Sequence, residues 1–100
     1  MKVGTTPTHA FCLPFTVDMV SAVEIAYVQS GTTKLTKVKD DCTLTDRTVS
    51  VTLTQEDTFL LTEGVPVEIQ LRVLTTGGDV LMSEIYSVSC DRCLFDEVLA

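Results

Sequence analysis

The stretch "VPVEIQLRVLT" alternates without a break. Val65, Val67, Ile69, Leu71 and Val73 fall on one side, and Glu68, Gln70 and Arg72 on the other. "RTVSVTLT" does the same, with Val49, Val51 and Leu53 against Thr48, Ser50 and Thr52. A period of two fits a half-buried strand and cannot line one face of a helix. Two such runs predict an antiparallel sheet with one wet face.

Other segments follow suit. "SAVEIAYVQS" predicts a strand with Val23, Ile25 and Tyr27 inward and Glu24 outward. Val20, Ala26 and Val28 blur its pattern and suggest cover on both sides. "VLMSEIYSVSC" predicts a strand with Tyr86, Val88 and Cys90 inward and Ser83, Ser87 and Ser89 outward. Ile85 falls on the serine side as an exception. "THAFCL" (8–13) and "TKLTKV" (33–38) are weaker strand candidates. Pro14 closes the first. "QSGTT" reads as a tight turn at Gly31, and "TTGGDV" as a hairpin, with Gly77 and Gly78 able to supply positive φ. In "LTQEDTFLLTEG", Thr54 is placed to cap a helical turn that carries Glu56 and Asp57 at its N-terminal end. Such a turn would lead the chain from one sheet to another, with Asp57 bonding backbone amides at the corner. No segment sustains a 3.6-residue period. The expected fold is all-β: an immunoglobulin-like antiparallel sandwich of six to seven strands, one domain over residues 1–100.

Charge narrows the partners. Four lysines and two acids lie in residues 1–39, and three arginines and twelve acids in 40–100; the whole chain carries −7. An acidic surface repels nucleic acid and anionic lipid, so neither is an expected partner. Lys34, Lys37 and Lys39 read as the solvated face of an edge strand, where lysines discourage edge-to-edge pairing. The N-terminal stretch lacks the apolar core of a secretory signal, and no run is long enough to span a membrane. The expected compartment is therefore the cytoplasm, with free thiols.

The chemistry-bearing residues are few. His9 is the one histidine. Cys90-x-x-Cys93 is the one close cysteine pair, with Cys12 and Cys42 as singletons. A tetrahedral zinc site normally draws on two close pairs. A redox dithiol needs a helix N-terminus to lower the thiol pKa, whereas this pair ends a strand among Asp91, Asp96 and Glu97. Cys90 shares the side of Val88 and Tyr86 and reads as core, and Cys12 beside Phe11 reads similarly. Cys93 is placed to pack with Leu94 and Phe95. The acidic pairs match neither a calcium loop nor a glycosidase dyad. With no Trp and both tyrosines on inward sides, no aromatic platform for sugar is visible. No catalytic residue, cofactor site or metal site is expected. The alternative left open is a small ligand- or metal-binding module using Cys12, Cys42, Cys90, Cys93 and His9.

"TPTHAFCLPF", "AYVQSG", "VSVTLTQEDTFLL" and "VEIQLRVLTTGGDVLMSEIYSVSC" occur in this order along nearly the whole chain. Together they resemble a group of small proteins of gut Firmicutes genomes, carried in prophage-type or mobile-element gene clusters and with no assigned activity. More loosely, the second half is similar to the immunoglobulin-like N-terminal domain of phage baseplate upper proteins. That family has an "LT-x-x-D-T" corner, a long alternating strand, a glycine hairpin and a serine-bearing last strand. The resemblance implies a non-enzymatic assembly module, cytoplasmic as synthesised with the virion as a further destination, whose partner is itself or a phage structural protein. The long extension of that family is not found within residues 1–100, which implies a freestanding subunit. The residues placed to make contacts are the outward apolars Val28 and Leu74 and the end segment with Leu94, Phe95, Val98 and Leu99. "CLFDEVLA" is too apolar for a loose tail and is expected to pack on its own domain.

Overall fold

The computed structural model describes residues 1–99. Eight short strands form two antiparallel sheets. They are β1 (Thr8–Cys12), β2 (Val20–Gln29), β3 (Thr32–Val38), β4 (Cys42–Thr45), β5 (Thr48–Thr52), β6 (Val67–Thr75), β7 (Val80–Met82) and β8 (Tyr86–Val88), with one helical turn, α1 (Gln55–Phe59), between β5 and β6. One sheet has the order β1-β5-β4. The other has β3-β2-β6-β7, with β8 also paired to β6. If β7 and β8 count as one interrupted strand, these are the B-E-D and C′-C-F-G sheets of an immunoglobulin-like sandwich.

The alternation places the core. In the three-stranded sheet, β5 turns Val49 and Val51 inward, flanked by Phe11 and His9 of β1 and by Leu44 and Cys42 of β4. In the other, Val23, Ile25 and Tyr27 of β2 lie beside Val73, Leu71 and Ile69 of β6. These central residues are almost wholly buried. β2 is not covered on its outer side: Glu24, Ala26 and Val28 are half-buried there, with Glu24 paired to Arg72 at 2.5 Å. β6 starts two residues later than the alternation predicts, so Val65 stays half-buried in the preceding loop.

The turns fall where the glycines sit. Ser30 and Gly31 both have positive φ, 49° and 77°, which makes the β2–β3 connection a type I′ turn. Thr54 caps α1 in the expected way: its hydroxyl accepts from Asp57 N at 3.1 Å, and Asp57 Oδ2 accepts from Thr54 N at 2.9 Å.

The last strand departs from a simple alternation. Across β6, β7 pairs Val73 with Leu81, whereas β8 pairs Ile69 with Tyr86. The register slips by one residue over Ser83–Ile85, the signature of a bulge. Ser83 causes it. Its Oγ, rather than its carbonyl, accepts from Leu71 N at 2.9 Å, and its carbonyl turns to accept from the Gln70 amide at 3.0 Å. Inward-facing parity therefore switches from odd (Leu81) to even (Tyr86, Val88). Ile85 ends on the outside, exposed.

Candidate functional site

Three places hold the residues that could act. The first is a polar cluster between the sheets, beside α1. Tyr27 is fully buried, yet its hydroxyl reaches His9 Nδ1 of the facing sheet at 2.7 Å. Val51 stands between His9 and Cys42 on the inner face. Lys37 pairs with Ile25 in register, so it too points inward. Its side chain is only 16% exposed and its Nζ meets Asp57 Oδ2 at 2.8 Å. This corrects the expectation of a solvated Lys37. β3 carries a bulge at Lys34, where the register against β2 shifts, and only from Leu35 onward does the row face the core. The pairing gives Asp57 a charged partner in addition to its role at the corner.

The electrostatics of the cluster disfavour a nucleophile. Burial, then the neighbouring Cys42 and Asp57, push the Tyr27 phenol far above its ordinary range. Burial and Asp41 raise the Cys42 thiol, against a smaller opposing pull from Lys37. Burial, aided by the α-ammonium group of Met1, lowers the pKa of His9 and keeps it neutral. Burial works against ionising Asp57, but hydrogen bonds from Lys37 and Thr54 and the charge of Lys37 prevail and hold its carboxyl below the usual range. Phenol, thiol and imidazole thus all stay uncharged at neutral pH. The cluster ties the sheets together.

The second place is the cysteine set. Cys12 is exposed on β1, which corrects its reading as core: it pairs with Thr48 at an outward-facing position. Cys42 is half-buried, with its thiol toward Val38 O at 3.3 Å. Cys90 is buried, and burial raises its thiol pKa. Cys93 leans on the core and gives its thiol to Phe95 O at 2.8 Å. The expected packing of Cys93 with Leu94 and Phe95 does not form, since both are largely exposed. Among the described residues, no three of His, Cys, Asp or Glu converge as metal ligands.

The third place is apolar surface. The large exposed apolar residues gather late in the chain: Val80, Leu81 and Met82 on β7, Ile85 and Tyr86 after the bulge, and Leu94, Phe95, Val98 and Leu99. Tyr86 faces inward as its parity demands but remains 49% exposed. The three-stranded sheet ends at β1, and the Tyr86 ring tilts toward Phe11, centroids 6.1 Å apart. The result is an open groove of about 590 Å³ between β1 and β7–β8, lined by Phe11, Leu71, Leu81 and Tyr86 among others. Val28 and Leu74 lie on the outer face of the same sheet, Val28 half-buried and Leu74 exposed.

Segment 94–99 returns to its own domain without forming a strand. Leu99 N donates to Gln55 Oε1 at 2.7 Å, and the Gln55 amide donates to Leu99 O at 2.9 Å. The expected self-packing is therefore met by the two bonds of the Gln55 side chain to Leu99 but not by burial, because Leu94, Phe95 and Leu99 stay in water. Sequence reasoning missed the β7–β8 strip. Its signal was present: no charge separates Asp79 from Glu84.

No family model and no curated protein matches this chain. Among solved structures it is similar to the V domain of amphioxus IgVJ-C2, with 14% identity and a TM-score of 0.35, covering 90% of this chain and 96% of that one. The likeness is one of outline. The assignment to the immunoglobulin-like class follows from the strand order and pairing described above. Among the described residues, no helix is long and apolar enough to cross a membrane.

Proposed function

We propose that this chain is a non-enzymatic protein-interaction module that takes its place in a larger assembly through β7–β8 and segment 94–99. One observation carries the reading: large apolar side chains concentrate in water on an edge strand and the segment beyond it, where natural sheets normally place charge, proline or cover. The tied polar cluster, with its phenol, thiol and imidazole neutral and its one lysine paired to Asp57, is consistent with a structural interior. The setting we propose is a prophage or mobile-element assembly, baseplate-like in kind, and its support is the motif resemblance. Cross-linking mass spectrometry in the native host tests the module: links should fall on β7–β8 and 94–99, and links spread evenly over the surface would count against it. The flanking genes test the setting, tail or baseplate genes for it and metabolic genes against it.

A further inference from the structure

The β7 edge carries more information than its apolarity. Ser83 N donates to Leu71 O at 2.8 Å, and Thr75 N donates to Asp79 O at 2.8 Å. In an antiparallel ladder, bonded pairs alternate. Leu81, midway between Asp79 and Ser83, therefore spends its backbone groups on β6. The N–H and C=O of Val80 and Met82 point the other way, along the free edge.

We infer that this edge pairs with the same edge of a second copy of the chain, antiparallel about a two-fold axis at Leu81. The inference rests on the interaction reading above and names its partner. The register follows from the free groups. Val80 of one copy faces Met82 of the other and they exchange both backbone bonds, twice over by symmetry. Leu81 meets its own mate in the wide pair, where side chains come closest. On the outer face, Leu74 and Val80 of one copy continue into Met82 of the other, since Leu74 pairs with Val80 within each sheet. Charge permits it. Asp79 falls opposite Ser83 and Glu84 opposite Gly78, so no like charges meet directly. The other edges are blunted. β3 carries Lys34, β4 is bracketed by Asp40, Asp41 and Asp46, and β1 lies between Pro7 and Pro14.

Leu74, Val80, Leu81, Met82 and Ile85 are each roughly half exposed, and the pairing lays two such apolar edges side by side, so that their facing flanks leave water while the main-chain bonds supply the affinity.

The test is sedimentation and light scattering of the full chain across concentration, with Leu81→Cys in a Cys12→Ser background as a positional probe. A two-fold wide pair brings the Cα atoms within disulfide reach. The expected results are a reversible dimer with micromolar dissociation, and Leu81→Cys cross-linking to itself under mild oxidation far faster than Thr36→Cys on the opposite edge. Met82→Pro removes one free-edge N–H without touching the β6 ladder; it should weaken the dimer at least tenfold while the monomer keeps its circular dichroism. A monomer up to millimolar concentration, or equal cross-linking of Thr36→Cys, overturns the second-copy inference. The host cross-links to β7–β8 and 94–99 judge the interaction reading separately, so the two can fail independently.

Discussion

Gln29 offers the sharpest test of how the corner after α1 is held. It ends β2 and is 2% exposed, a polar side chain inside an apolar core. Its amide nitrogen donates to Thr62 O at 2.8 Å and to Val65 O at 2.9 Å, and its Oε1 accepts from Thr62 N at 2.8 Å. One side chain thus satisfies three backbone groups of a loop with no ladder of its own. Gln29→Leu keeps similar volume and removes all three bonds. Each bond contributes about 1 kcal/mol net, and a donor or acceptor left without a partner in the interior costs about 1–3 kcal/mol. Thr62 is exposed and Val65 half-buried, so water can reach part of what is orphaned. The expected loss is therefore about 3 kcal/mol. For a domain of this size that corresponds to a fall in Tm of roughly 12–24 °C. Urea unfolding followed by far-UV circular dichroism reads it, with the midpoint falling and the slope unchanged. Hydrogen exchange should show residues 60–66 opening first. A loss under about 1 kcal/mol would refute the reasoning, because it would mean that the leucine's burial offsets three bonds or that the loop finds other partners.

Asp57 ionises more readily folded than unfolded. Its stabilisation is complete above its ordinary value of 3.8 and fades as pH falls through the lower folded value; an Asp57→Asn variant, less stable at neutral pH, should show a flatter acid limb in pH-dependent thermal melts. His9 is held neutral, with its folded pKa below 6.5, so stability should decline as pH drops from 6.5 through that lower value, and His9→Gln should remove this step in the same melts. Ser30 holds φ at 49° in a type I′ turn, and Ser30→Asn should raise stability by about 0.5 kcal/mol in urea titrations, since Asn-Gly is the preferred pair there.

Much of the fold was legible because burial on one side of a strand writes itself as alternation. β5 and β6 announce themselves through Val49, Val51, Ile69, Leu71 and Val73, and the capped turn of α1 through Thr54 and Asp57. What was illegible came from register. A one-residue bulge reverses which side faces in, and no local pattern marks it: at Lys34 the slip hides Lys37 inside, and at Ser83–Ile85 it splits a strand. Tyr86 was placed on the correct side, but its burial depended on how many strands the facing sheet has, a fact written nowhere near residue 86. The contact between His9 and Tyr27 joins residues of different sheets, and no spacing between two positions reveals it. The expected contact residues Val28 and Leu74 rest on apolar character at outward positions, and Leu94, Phe95, Val98 and Leu99 on apolar character near the end of the segment. Apolarity found the exposed segment 94–99 but passed over β7, whose backbone edge is the more specific feature.

The Ser83 bulge has a consequence for cooperativity. It leaves the outermost strand as two pieces of three residues, each held to β6 over three residue pairs. Short and edge-placed, with Val88 half-buried against the core and Val80, Leu81, Met82 and Tyr86 exposed, these pieces sit at the low end of local opening free energy and should fray well before β2 or β6 does. A partner strand that binds only the closed edge draws that equilibrium with it. Closing the edge and forming the assembly then become one thermodynamic event, so the stability of this corner of the domain rises with protein concentration.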